Sequence, residues 1–308
     1  MEAFITLDIG GTNIRGAVFT GDEIKPVTYK KYPTNQNGLS AIDNIKLLIK
    51  EIWPNDFHVR GISTAAPGSI DINEGIVILA PNIPGWENIH LKKILTDEFS
   101  VDVYINNDAR LAALGEWKHG AGIGHKNLLY FTISTGIGGG AIVDGKLVEG
   151  CLGIATELGH VILVDDGPLC GCGLYGHLEA FSSGTGIELF IETAIKDGAI
   201  TSLKGSPSTK IIAEAALQGD ELAISAFNRA AYYLGRGIAN YLHIFNPSCI
   251  IFGGGVSQSG ELLFKPFRQS LHKYVLSDRY VSNLEIKMAA LGDNVGLIGA
   301  LEYLKERL

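Results

Sequence analysis

The sequence has no run of basic residues. Lys92-Lys93 is the nearest to one, and the formal net charge is −8. A nucleic-acid groove would need a basic stripe to neutralise phosphates, so that class of partner is excluded. Long apolar runs are missing too. The longest, Asn127 to Val143, is broken by Ser134, Thr135 and four glycines, which is not the pattern of a membrane span. The opening MEAFITLDIGG carries an acidic residue and then a strand-like pattern. It lacks the basic stretch and small-residue cleavage site of a signal peptide. Cysteine is scarce: four in 308 residues, unevenly spaced, two of them in Cys170-Gly-Cys172. That usage suits a reducing compartment and a metal better than a disulfide framework. A soluble, cytoplasmic protein is expected.

Glycine, by contrast, is abundant, with 39 residues where average usage of about 7% would give roughly 22. No Gly-x-y period or low-complexity tract absorbs the surplus, so the glycines belong to discrete turns. The chain is 46% apolar, enough to bury a sizeable core, and its length suits two domains or one large one.

A weak internal duplication organises the chain. AFITLDIGGTNIRGAVFTGDEI near the start and NLLYFTISTGIGGGAIVDGKLV from Asn127 both read as a strand, a glycine turn, a second strand and a tight turn. The offset is 126 residues before the glycine turn (Asp8 to Ser134) and 124 after it (Ala17 to Ala141). Two β-hairpins with different loop lengths give that pattern; two unrelated Gly-rich hairpins are the alternative. The remainder alternates strands (Val59–Thr64, Val101–Ile105, the buried run from Cys249) with helices (Asp108–Lys118, Leu222–Ile244, and a tail placing Leu297, Ile298, Leu301, Leu304 and Leu308 on one face). Gly235 and Gly237 weaken the middle of the second helix. Together these indicate α/β lobes with a boundary near Gly115 to Gly124.

Three glycine turns follow strands: Gly10-Gly11-Thr12, Gly136 to Gly140, and Gly253 to Gly255. Glycine there lets backbone N–H groups approach an anion, as phosphate cradles require; tight structural turns are the alternative. A dinucleotide fingerprint at Gly136 is rejected because a strand follows rather than a helix. A P-loop ending at Gly145-Lys146 is rejected because Leu147 stands where Ser or Thr must bind Mg²⁺. Asp8, beside the first turn, makes sense with an intervening Mg²⁺, or as a turn cap. Asp108 opens a helix after Asn107, where the dipole keeps a carboxylate ionised and able to accept a proton; a plain N-cap is the alternative. Glu157-Leu-Gly-His160 and Cys170-Gly-Cys172 through His177 to Glu179 gather two thiols and two imidazoles. That is a closed tetrahedral zinc set, and a disulfide between cysteines one residue apart would be badly strained. A metal-free glycine loop is the other reading.

At these residues the chain resembles the ROK family of sugar kinases, a branch of the actin, Hsp70 and hexokinase superfamily. The motifs span essentially the full length: DIGGTNIRGA at Asp8, STAAPGSID at Ser63, PNIPGW at Pro81, NNDA at Asn106, TGIGGG at Thr135, ELGH at Glu157, CGCG through Glu179, and FNPSCIIFGGG at Phe245. The resemblance implies an α/β fold of two ribonuclease-H-like lobes around a cleft. Residues 1–117 with 294–308 would form one lobe and 118–293 the other. It implies ATP-dependent phosphorylation of a hexose at the 6-hydroxyl, with ATP, Mg²⁺ and a structural Zn²⁺. PNIPGW and the intact ELGH set resemble the glucokinase branch; N-acetylmannosamine or N-acetylglucosamine kinases are the alternative. Sugar-responsive regulators of the family are disfavoured, since the first strand begins too early for a helix-turn-helix domain. Homodimers are common among members.

Carried over, Asp108 would take the proton of the sugar hydroxyl. Asn107, Glu157, His160 and Glu179 would hold other hydroxyls, with weaker cases for Asn82, Gly68 and Gly136. Asp8, Gly10, Gly11, Thr12, Asn13 and Arg15 would serve ATP and Mg²⁺, with Thr135 on the second hairpin and Gly254 and Gly255 near the nucleotide. His160, Cys170, Cys172 and His177 would bind zinc, His177 standing where the family usually has a third cysteine. His160 would use one ring nitrogen for zinc and the other for a sugar hydroxyl.

Overall fold

A computed structural model of the chain describes residues 2–35 and 38–308. The first half runs β1 (Glu2–Ile9), β2 (Asn13–Thr20), β3 (Thr28–Pro33), α1 (Ala41–Ile52), β4 (His58–Ala66), β5 (Ser69–Asp71), β6 (Ile76–Leu79), β7 (Glu87–Ile89), α2 (Leu91–Phe99), β8 (Asp102–Asn107) and α3 (Asp108–His119). The second half runs β9 (Leu128–Ile133), β10 (Ile137–Val143), β11 (Lys146–Leu147), α4 (Leu178–Ser182), α5 (Gly184–Lys196), α6 (Thr209–Leu217), α7 (Glu221–Phe245), β12 (Cys249–Gly253), α8 (Glu261–Tyr274), β13 (Glu285–Met288) and α9 (Val295–Lys305).

Two five-stranded sheets carry these halves, in the orders β3-β2-β1-β4-β8 and β11-β10-β9-β12-β13. In each, an antiparallel three-strand meander is extended by two parallel strands. The duplication seen in the sequence is thus a duplication of topology. A three-stranded β5-β6-β7 sheet is inserted in the first half.

β1 is apolar along nearly its whole length because both its faces are covered. Ile5, Leu7 and Ile9 pack with Ile45, Leu48, Ile49 and Ile52 of α1, which recur at i, i+3, i+4 and i+7. Phe4 packs with Leu297, Leu301 and Leu304 of α9. The tail helix ends at Lys305, so Leu308 lies beyond it and is exposed, unlike the other leucines of the expected face.

α7 is unbroken despite Gly235 and Gly237. A Cβ at Gly235 would meet Ser270 Cβ at 2.6 Å and Leu271 N at 2.7 Å on α8. The glycine that lowers helix propensity therefore permits close helix packing. The boundary expected at Gly115–Gly124 falls partly within α3: Gly115 is helical, and a Cβ there would stand 3.1 Å from Gly299 N of α9. α3 also lies against the second sheet, with Ala109 and Ala113 beside Gly138 and Gly140 of β10. The chain passes from one sheet to the other at 120–127 and returns at 289–294.

Candidate active site

Asp108 comes first in α3 because β8 ends at Asn107, whose side chain caps the helix. Asn107 Oδ1 accepts from Ala109 N at 3.0 Å and Arg110 N at 3.2 Å, while its amide nitrogen donates to Gly68 O at 3.1 Å. One N–H of that amide remains for a ligand. Asp108 Oδ1 accepts from its neighbour's amide, Ala109 N, at 2.7 Å. Burial, then the charges of Asp8 and Glu157, push the Asp108 carboxyl up to about 7, within range of a general base at neutral pH.

The first hairpin turn closes through Gly10 N to Asn13 O at 2.9 Å. Gly11 is required by close approach, since a Cβ there would stand 2.6 Å from Asn82 O. Thr34 N donates to Thr12 O at 2.9 Å. Burial raises the Asp8 carboxyl, and Arg15 at 3.1 Å opposes that rise. Arg15 also donates to Asp293 O at 2.9 Å. One carboxylate beside a glycine turn suits Mg²⁺, which keeps several waters and takes few protein ligands.

The second hairpin meets a different group of residues. Ser134 O accepts from Gly184 N at 2.7 Å, and Thr135 O from Thr185 N at 3.3 Å. Beside these a cavity of about 560 Å³ opens, bounded by the hairpin, the start of α5, α6 and the turn after β12. Thr135 and Gly255 line it, as do Gly184, Thr185, Glu188, Thr209, Lys210 and Gln258. Gly254, expected beside the nucleotide, does not line it. With φ of +84°, its Cα turns toward the Ile133 backbone and lets the chain swing round for Gly255. The α5 and α6 residues were not anticipated from the sequence. Ser183-Gly184-Thr185-Gly186 was the available signal: Ser183 caps α5 by accepting from Gly186 N at 3.1 Å, and a glycine-rich helix start is a phosphate-binding element.

Glu157, His160 and Glu179 come from the irregular segment between β11 and α4 and the first turn of α4. Burial raises the Glu157 carboxyl, opposed by His160 and Arg110. Glu179 Oε2 accepts from Ile137 N at 2.7 Å, directly beside Gly136. His160, Cys170, Cys172 and His177 each bring one donor atom to within 4.8 Å of all the others. His160 Nδ1 stands 3.3 Å from His177 Nδ1 and 3.7 Å from Cys170 Sγ, and Cys172 Sγ is 3.2 Å from His177 Nδ1. Donor edges of roughly 3.3–3.8 Å follow from tetrahedral Zn–N and Zn–S bond lengths, so the four residues fit that ion. All four cysteines are free thiols. His160 uses Nδ1 in this group, leaving Nε2 for another partner.

Among the described residues, no helix is long and apolar enough to cross a membrane. The sequence profile of the ROK family matches residues 4–307. The glucokinase of Thermotoga maritima is 36% identical, with 99% of this chain and 98% of the relative covered. Among solved structures, a ROK family glucokinase from Streptomyces griseus in complex with glucose and AMPPNP is 33% identical, with a TM-score of 0.79 and 99% of each chain covered. A ROK hexokinase from Thermus thermophilus is 31% identical, with a TM-score of 0.84 and again 99% of each chain covered.

Proposed function

We propose that this chain, which belongs to the ROK family, transfers the γ-phosphoryl group of ATP to the 6-hydroxyl of a hexose. Glucose is that hexose, as the similarity to glucokinases over the full length supports. The observation that carries the reading is Asp108, a half-buried carboxylate opening α3 within electrostatic reach of Asp8 from one half and Glu157 from the other.

In this reading Asp108 accepts the hydroxyl proton as the oxygen attacks phosphorus. The transition state is loose, so alignment and charge neutralisation outweigh base strength. Asn107, Glu157, His160 Nε2 and Glu179 hold the other hydroxyls, with Asn82, Gly68 and Gly136 shaping the same wall. Gly10, Gly11, Thr12 and Asn13 face phosphate with their backbone, and Arg15 orients Asp8. The cavity beside Thr135 and Gly255 takes the nucleotide. Asp8 would hold Mg²⁺ through water, and that ion when bound neutralises charge on the phosphates. The Cys₂His₂ group would hold Zn²⁺, which orders the Glu157–Glu179 segment and does no chemistry. The lobes divide as 1–117 with 294–308 against 118–293.

A coupled ADP-release assay with ATP against glucose, mannose, fructose, N-acetylglucosamine and N-acetylmannosamine tests this. Glucose should give the highest kcat/KM. Preference for an N-acetylhexosamine would replace glucose as substrate, and no turnover with any sugar would overturn the kinase reading.

A further inference from the structure

α3 carries near its end a carboxylate with no charged partner. Glu116 is fully buried, and among the described residues no lysine, arginine or histidine pairs with it. Backbone donors satisfy it instead. Oε2 accepts from Ala121 N at 2.8 Å, and Oε1 accepts from Ala290 N and Leu291 N, each at 2.8 Å. The Glu116 carbonyl accepts from Gly120 N at 3.0 Å and Gly122 N at 2.8 Å. These donors lie in 120–127 and 289–294, the two segments joining the sheets. One residue thus fastens both connections to the end of one helix.

We infer that Glu116 is a positioning residue for phosphoryl transfer: the pivot that holds both inter-lobe connections and sets how the halves align. This rests on the sugar-kinase reading, in which Asp108 from one half must meet the nucleotide held in the cavity of the other.

Three observations support it. Burying a carboxylate carries a desolvation penalty, and apolar groups filling the same space are often as stable or more so. Its presence here fits a demand for geometry better than one for stability. Both segments it holds contain glycine: Gly120, Gly122 and Gly124 in one, and Gly292 with φ of +56° in the other. Connections of that kind absorb the backbone rotations of a hinge. A side chain at Gly120 would occupy the place of the Glu116 carboxylate. The return connection also leads straight to the phosphate side of the site. Two residues past Leu291, Asp293 O accepts from Arg15, and a Cβ at Gly296 would stand 2.9 Å from Asp8 Cγ. Displacing 290–291 therefore displaces the neighbours of Asp8. The nucleotide cavity contains none of these residues.

Glu116→Gln places an amide N–H against the Ala121 or the Ala290 and Leu291 donors, so at least one connection loses its acceptor. Leu291→Pro removes a single donor and keeps the carboxylate, and serves if the first variant does not fold. Hydrogen exchange should speed up at least tenfold at Ala121 or at Ala290 and Leu291 in Glu116→Gln, and at Ala290 in Leu291→Pro. With ATP and glucose, kcat should fall at least about tenfold, while the Kd for AMPPNP alone stays within about twofold. The double variant Ile45→Val/Ile49→Val, in the first core, provides a variant of reduced Tm with the tie intact and should keep kcat within twofold. Unchanged exchange, faster exchange with wild-type kcat, or an equal kcat loss in the core variant would each overturn the inference. If the wild type phosphorylates no sugar, the kinase reading fails and the pivot with it as a positioning residue. The exchange result still separates that failure from the absence of the tie itself.

Discussion

Glu179 reaches two sites at once: its Oε2 accepts from Ile137 N, and its Oε1 lies 3.2 Å from Cys170 Sγ. The carboxylate that would meet the sugar therefore leans on a residue of the metal group. Burial pushes the Cys170 thiol up to about 12, so a free thiol there stays protonated, whereas a bound metal would deprotonate it outright.

About one equivalent of zinc is expected per chain. Its removal by a chelator should raise the KM for glucose by about tenfold or more, because the Glu157–Glu179 segment loses its anchor. Elemental analysis before and after chelation, with kinetics on the same samples, checks this. Full activity below half an equivalent of zinc would rule it out. Cys172→Ser should lose the metal, and His177→Cys should keep it, since thiolate and imidazole both serve zinc.

Asp108→Asn should bind nucleotide like the wild type and lose at least about 10³-fold in kcat, through loss of the base together with its positioning. Single-turnover kinetics and AMPPNP titration measure the two quantities. Turnover near the wild-type value would remove Asp108 from the mechanism.

The raised Asp108 carboxyl sets a pH dependence. The free enzyme needs the carboxylate, so kcat/KM should rise with pH and level off above about 7. The sign for stability is opposite. A carboxyl raised on folding contributes stability below its ordinary value near 3.8, lost as pH climbs through about 7. Asp108→Asn should therefore have a higher Tm than the wild type at pH 8, with the difference shrinking toward pH 4. Parallel melting curves would exclude a raised carboxyl.

Gly255 borders open space, with no atom within 4 Å of where a Cβ would stand, so Gly255→Val should fold normally. The new side chain would project beside the nucleotide cavity. The KM for ATP should rise at least about tenfold while glucose binding, followed by calorimetry, is unchanged. An unaltered KM would move the nucleotide elsewhere.

Much of this site was readable in the chain because its signals are local. Asp108 follows a strand and its Asn107 cap, and Cys170-Gly-Cys172 with His160 and His177 lies within eighteen residues. The nucleotide wall was less legible. Thr185 and Lys210 sit at the starts of separate helices, and neither forms a local motif with Thr135. The Glu116 tie could not be read at all, since Ala290 and Leu291 donate across 174 and 175 residues through backbone N–H groups that every residue type except proline carries.

The sequence by itself determined the repeated hairpin–strand pattern, the acidic residues beside the glycine turns and the metal group, because each depends on neighbours a few residues apart. Tertiary structure decided the rest. It brought β9 and β12 together to aim Gly255 at a cavity, placed Gly235 where α8 approaches, and gathered two distant connections on one carboxylate. Those arrangements depend on close packing and on the need of buried polar groups for partners, and neither condition is written in any single stretch of chain.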